Sequence, residues 1–262
     1  LIRCVLALMH FMVCKRPSRK VCLLRRVIFS LKKAGAAALA VLALSGLVAE
    51  SEASSMSRHH QAAPETAPGY GELGFALPTV GSYERPRISF AENGKVVQSD
   101  GRQTTLHALM SGKVTVLSFI FTSCGDLNGC PLASYVLNRV MQRVSKDERF
   151  ADKIQLLSLS FDRANDTPAL LRKYAAQFAA KKNPHWKFLT TASDEDLAGI
   201  LENYNQFVIQ DVNAQGEPIG SFSHLLRVYL IDEEQFIREV YSVSFLHPDI
   251  ILADVQTILL DQ

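Results

Sequence analysis

Hydrophobic positions along the second half of this chain alternate between two periods. Val114-Thr115-Val116-Leu117-Ser118-Phe119-Ile120-Phe121 is a near-continuous apolar run, the pattern of a buried strand. Residues 131–145 then place Leu132, Tyr135, Val136, Val140 and Val144 on one helical face. Ile154-Gln155-Leu156-Leu157-Ser158-Leu159-Ser160 predicts a second strand, and Trp186-Lys187-Phe188-Leu189 a short third. Between them, Asp166-Thr167-Pro168 supplies a cap residue and a helix-starting proline for a helix over 167–180. Ser193 caps a helix over 194–203. Residues 225–231 and 235–241 read as an antiparallel pair joined by Asp232-Glu233-Glu234, and Pro248 opens a last helix, 248–260. Upstream, Ile88-Ser89-Phe90 and Lys95-Val96-Val97 flank the turn signal Glu92-Asn93-Gly94-Lys95, which predicts a hairpin. This order of strands and helices predicts an α/β domain with helices on both faces of its sheet.

The pattern changes before residue 77. Lys32-Lys33 precedes an apolar, alanine-rich run over 34–44, then small residues and Ser51-Glu52-Ala53. That is the three-part pattern of a secretory signal, and Leu31-Lys32-Lys33 is its expected start. The run is short for a membrane span, which needs about 20 apolar residues. Residues 1–53 are therefore expected to be a targeting segment, with an uncleaved inner-membrane anchor as the alternative. Polar and small residues over 54–76 read as a flexible linker, and 77–262 as the folded domain.

Charge follows this division. Nine of the 28 basic and two of the 26 acidic residues lie in 1–53, leaving 19 basic and 24 acidic residues beyond it, a net charge of −5. The positive charge of the whole chain belongs to the targeting segment. Nothing in the remainder points to a nucleic-acid partner.

Only two cysteines, Cys124 and Cys130, lie beyond residue 53. They sit between the strand at 114–121 and the helix that opens with Pro131, where helix N–H groups and dipole favour thiolates. Thiolates attack disulfides and bind soft metals. A structural disulfide is the alternative for a pair in an exported protein.

Four segments, in order, carry a resemblance to the Sco/SenC family of copper-binding thioredoxin-fold proteins, over residues 78–261. They are Gly112 to Phe119; Thr122-Ser123-Cys124 with Cys130-Pro131; Leu159-Ser160-Phe161-Asp162-Arg163-Ala164-Asn165-Asp166-Thr167-Pro168; and His224 to Asp232, with His224 five residues before Tyr229. The resemblance implies a thioredoxin-like fold, with a central mixed sheet flanked by helices and an N-terminal hairpin extension. It also implies a copper site with Cys124, Cys130 and His224 as ligands, and Asp162 as a nearby carboxylate that either orients His224 or ends a strand. Two thiolates and an imidazole suit Cu(I) and can hold Cu(II). The family has three residues between its cysteines, whereas this chain has five, Gly125 to Gly129.

By the same resemblance the expected function is a periplasmic metallochaperone rather than a turnover enzyme. It would deliver copper to, or reduce the cysteines of, the copper A site of a cytochrome oxidase. The partner would be that oxidase subunit or another periplasmic cuproprotein, together with a thioredoxin-like reductant. A thiol–disulfide oxidoreductase or a redox or copper sensor using Cys124 and Cys130 is the alternative. Disulfide oxidoreductases of this fold carry a proline opposite the cysteines. Ser221-Phe222-Ser223-His224 has none, which favours metal binding.

Overall fold

A computed structural model describes residues 65–178 and 184–261. These belong to one unit, His59–Gln262. The expected targeting segment, the linker up to residue 64 and the last residues of the helix expected over 167–180 lie outside the described residues.

In chain order the elements are a 3₁₀ turn Pro68–Tyr70, β1 Ser89–Phe90, β2 Lys95–Gln98, β3 Gln103–Thr105, α1 Leu106–Met110, β4 Val114–Ile120, α2 Cys130–Val144, β5 Ile154–Ser160, α3 Pro168–Ala175, β6 Trp186–Thr190, α4 Asp194–Asn203, β7 Val208–Val212, β8 Pro218–His224, β9 Val228–Ile231, β10 Phe236–Tyr241 and α5 Pro248–Leu260. Eight strands form one mixed sheet in the order β1-β10-β9-β4-β5-β6-β2-β3. β4, β5 and β6 are parallel, and β9 runs antiparallel to β4. β7 and β8 form a separate antiparallel hairpin.

Every residue of β4 and β5 is buried, so both sheet faces are covered along these central strands. That explains their unbroken apolar runs, since a strand with one wet face would alternate. Their polar residues find partners inside: Ser118 and Ser158 bond each other at 2.9 Å, Gln155 donates to the Thr115 hydroxyl at 3.1 Å, and Ser160 donates to Asp166. α2 buries Leu132, Val136, Leu137, Val140, Met141 and Val144, and packs against α5. The helix starts follow their capping chemistry. Thr167 accepts from Leu170 N–H, Ser193 from Asp196 N–H, and the His247 ring from Asp249 N–H.

Three expectations change. The N-terminal hairpin exists, but its strands are β2 and β3, paired Lys95↔Thr105 to Val97↔Gln103. Ser89–Phe90 pairs with β10 at the opposite edge of the sheet. The turn signal at 92–95 serves a longer connection, in which Asn93 Oδ1 accepts from both Gly94 and His107 N–H groups. The described end of the expected linker is also folded. Ala67 and Gly69 are buried, and the 3₁₀ turn between them packs on α2. α3 ends at Ala175, earlier than the periodicity predicts.

Candidate metal centre

The site lies at the C-terminal ends of β4 and β5, where an α/β sheet presents its loops. After Ile120 the chain turns, with Cys124 N–H donating to the Phe121 carbonyl at 3.3 Å. Asp126 closes the following loop: its Oδ1 accepts from Asn128 N–H at 3.0 Å and its carbonyl from Gly129 N–H at 2.9 Å. Gly129 is packed tightly enough that a Cβ there would lie 3.4 Å from the Cys124 sulfur. α2 then begins at Cys130, which is buried, whereas Cys124 is half-buried. The five-residue spacing therefore still folds the two thiols together.

His224 comes from the last position of β8. Along that strand Phe222 and His224 share one side while Ser221 and Ser223 share the other. The serine hydroxyls both donate to Asp211 on β7, at 2.6 and 2.8 Å. This fixes the hairpin face that carries His224. The imidazole packs against Phe161, with ring centroids 4.9 Å apart, and against Phe121 at 6.1 Å. Its Nε2 lies 3.7 Å from the Cys130 sulfur.

The ligand atoms of Cys124, Cys130 and His224 all lie within 4.8 Å of one another. Metal–sulfur bonds of about 2.3 Å in a planar three-coordinate site separate ligand atoms by about 4 Å, so the donors need close only slightly on an ion. The His224 Nδ1 is enclosed and has no hydrogen-bond partner among the described residues.

Asp162 does not supply that partner. Its carboxylate is buried, but both oxygens accept from Asn165 Nδ2 at 3.0 Å, and it makes no bond to His224. Asp162 thus makes no bond that would orient His224; its carbonyl accepts from Asn165 and Asp166 N–H in the turn after β5. The imidazole is oriented by aromatic packing instead. The carboxylate that supports the site is Asp166, which accepts from Thr122 N–H at 2.9 Å, the Thr122 hydroxyl at 2.5 Å and the Ser160 hydroxyl at 2.5 Å. It ties the β4 turn, two residues before Cys124, to the end of β5.

The two thiols have opposite acidities. Cys124 is held well below the ordinary thiol value, chiefly by a hydrogen bond from the Cys130 thiol. Hydrogen bonds from His224 and from the Cys130 backbone add to this and outweigh burial. Cys130 is pushed up by the Cys124 sulfur it bonds and by burial, despite standing first in α2. Helix position alone therefore does not set which thiol ionises. The opposite directions favour Cys124 as the thiolate of the pair. Iodoacetamide at pH 6 should accordingly label Cys124 at least about tenfold faster than an ordinary thiol, which is almost wholly protonated there. Cys130 should stay unlabelled, as peptide mass mapping would show. Preferential labelling of Cys130 would reverse the assignment.

The β7–β8 hairpin is the functional element that the hydrophobic pattern missed. Its signal was present in Asn213-Ala214-Gln215-Gly216, where Asn213 Oδ1 accepts from the N–H groups of Gln215 and Glu217 and Gly216 adopts φ +82°. Its strands carry few buried residues, so no apolar alternation marks them.

A thioredoxin-like sheet with a dithiol between strand and helix, and an imidazole brought in by a separate hairpin, defines a thiol-based protein with a soft-metal donor set. The SCO1/SenC family profile matches residues 85–260, and the chain belongs to the SCO1/SenC family. The SCO1 protein homolog of Bacillus subtilis is 25% identical over 160 residues, covering 60% of this chain and 77% of that protein. Among solved structures, Bradyrhizobium japonicum ScoI with copper bound is 22% identical, with a TM-score of 0.54 over 65% of this chain and 99% of that one. BsSco, a member of the Sco family of cytochrome c oxidase assembly proteins in which a disulfide switch was identified, is 22% identical, with a TM-score of 0.53 over 68% and 99% of the two chains.

Proposed function

We propose that the protein binds one copper ion between Cys124, Cys130 and His224 and serves the assembly of a respiratory cytochrome oxidase in an exported, periplasmic compartment. The observation that carries this reading is the convergence of two thiols and one imidazole within 4.8 Å. Two sulfurs and one nitrogen suit a soft ion, and a three-ligand set leaves room for a recipient's ligand during transfer. Copper binding deprotonates Cys130, whose proton leaves to solvent. The recipient would be the copper A subunit of the oxidase or another periplasmic cuproprotein.

The opposed thiol acidities support a second use of the same site. The Cys124 thiolate would attack a partner's disulfide, displacing one partner thiolate. Cys130 would then lose its proton and displace the other, leaving a Cys124–Cys130 disulfide and two reduced partner cysteines. A thioredoxin-like reductant would return the pair to the dithiol.

The discriminating experiment titrates the reduced protein with Cu(I) against a competing chelator, with His224→Ala in parallel. One copper per chain is expected in the parent. His224→Ala should bind more weakly by about 10²-fold, while the dithiol potential changes by much less than a tenfold step, about 30 mV. Equal copper affinity in variant and parent, with a readily cycled disulfide, would move the assignment to a thiol–disulfide oxidoreductase.

A further inference from the structure

The enlarged cysteine loop is gripped from outside. Asn128 Oδ1 accepts from Ala67 N–H at 2.9 Å, and its Nδ2 donates to the Glu65 carbonyl at 2.9 Å. One residue earlier, the Leu127 carbonyl accepts from the Tyr70 hydroxyl at 2.6 Å. The gripping segment is itself seated. A Cβ at Gly69 would meet the Leu246 carbonyl oxygen at 2.2 Å, and Leu132 and Val136 of α2 at 3.0 Å. The Tyr70 ring lies on Tyr135 of α2, with centroids 4.9 Å apart.

We propose that residues 65–70 are a strap that positions the five-residue loop between Cys124 and Cys130, with Asn128 as the positioning residue through which the strap holds the Cys124 sulfur near its two partners. Cys130 is fixed by α2, and the Cys124 backbone by its turn after β4. The residues between them bury little; Leu127 is exposed. Their order comes from the Asp126 turn and from the strap. A side-chain amide that satisfies two backbone groups of a distant segment fixes both position and orientation. Releasing it enlarges the ensemble of the open dithiol, which lowers the effective concentration of one thiol at the other. The disulfide then becomes easier to reduce, and any ion bridging the thiols is held less tightly. The second consequence rests on the copper reading; the first does not.

The test measures the Cys124–Cys130 midpoint potential in the parent, Asn128→Ala, Gly69→Ala and the double variant, with copper affinity alongside. Asn128→Ala cuts two of the three bonds that grip the loop. Gly69→Ala unseats the strap without touching the loop. Each should raise the potential by about 30 mV, a tenfold change in the equilibrium constant. The double variant should shift no further than Gly69→Ala alone, because a grip already lost cannot be lost again. Asn128→Asp, which keeps an acceptor for Ala67 N–H but loses the donor to Glu65, should fall between. Thermal melting checks that the fold persists, and Tyr70→Phe replaces Gly69→Ala if that variant does not fold. Unchanged potentials, or shifts that add in the double variant, would overturn the strap. A parent that binds no copper, with the potentials shifting as stated, would sink the copper reading alone.

Discussion

Replacing Cys124 with serine is expected to abolish tight Cu(I) binding while leaving the protein nearly as stable as before. The thiol is half-buried at the edge of the core and serine is nearly isosteric with it, so its replacement should cost no more than about 1 kcal/mol in urea denaturation. The metal site has no such tolerance. Structural four-ligand metal sites are worth on the order of 10–16 kcal/mol, or about 3–4 kcal/mol per ligand. Losing one of three ligands should therefore weaken binding about 10²- to 10³-fold. A hydroxyl, which stays protonated and hard, does not replace a soft thiolate. Chelator competition on the purified variant reads the effect directly. A variant that keeps one tightly bound copper without Cys124 would favour a structural disulfide as the role of the cysteine pair.

The legible parts of this molecule are those where burial imposes a period. β4 and β5 are buried along their whole length, and their residues are mostly apolar with a few internally bonded polar side chains, so their runs stand out in the sequence. α4 and α5 announce themselves by a serine cap and by His247-Pro248. The hairpin β7–β8 is held mainly by its own ladder and by Asp211 with two serines, interactions that leave no periodic trace. The strand β1 is two residues long and pairs with β10, more than a hundred residues away in sequence; no local signal specifies that choice over the nearer β2. The three site ligands were legible because their chemistry is scarce: two cysteines lie beyond residue 53, and family resemblance picks out one histidine. Their supports were not. Asp162 and Asp166 lie in the same short stretch, and only the geometry after β5 shows which of them faces Thr122. Asn128 offered no sign that its amide answers to Ala67 and Glu65, since hydrogen bonds across sixty residues carry no spacing rule.

That division between ligand and support makes Asp166 the residue whose loss should damage the site most without removing a ligand. Its side chain is almost fully buried and takes three hydrogen bonds, two from Thr122 and one from Ser160. In Asp166→Ala the part-buried Thr122 N–H and the buried Ser160 hydroxyl lose their acceptor, and each unsatisfied group costs about 1–3 kcal/mol. A destabilisation of about 2–4 kcal/mol is expected by urea denaturation, since the hydroxyls can turn to other partners and the backbone N–H cannot. The turn that carries Cys124 also loses its tie to β5, so copper affinity should fall about tenfold although all three ligands remain. Asp162→Asn is the matched control. Its carboxylate serves Asn165 alone, so it should cost about 1 kcal/mol and leave copper binding unchanged. If Asp162→Asn instead lowered copper affinity more than Asp166→Ala did, the orienting carboxylate would be Asp162 after all, and the aromatic packing of Phe161 and Phe121 would not suffice to hold His224 in place.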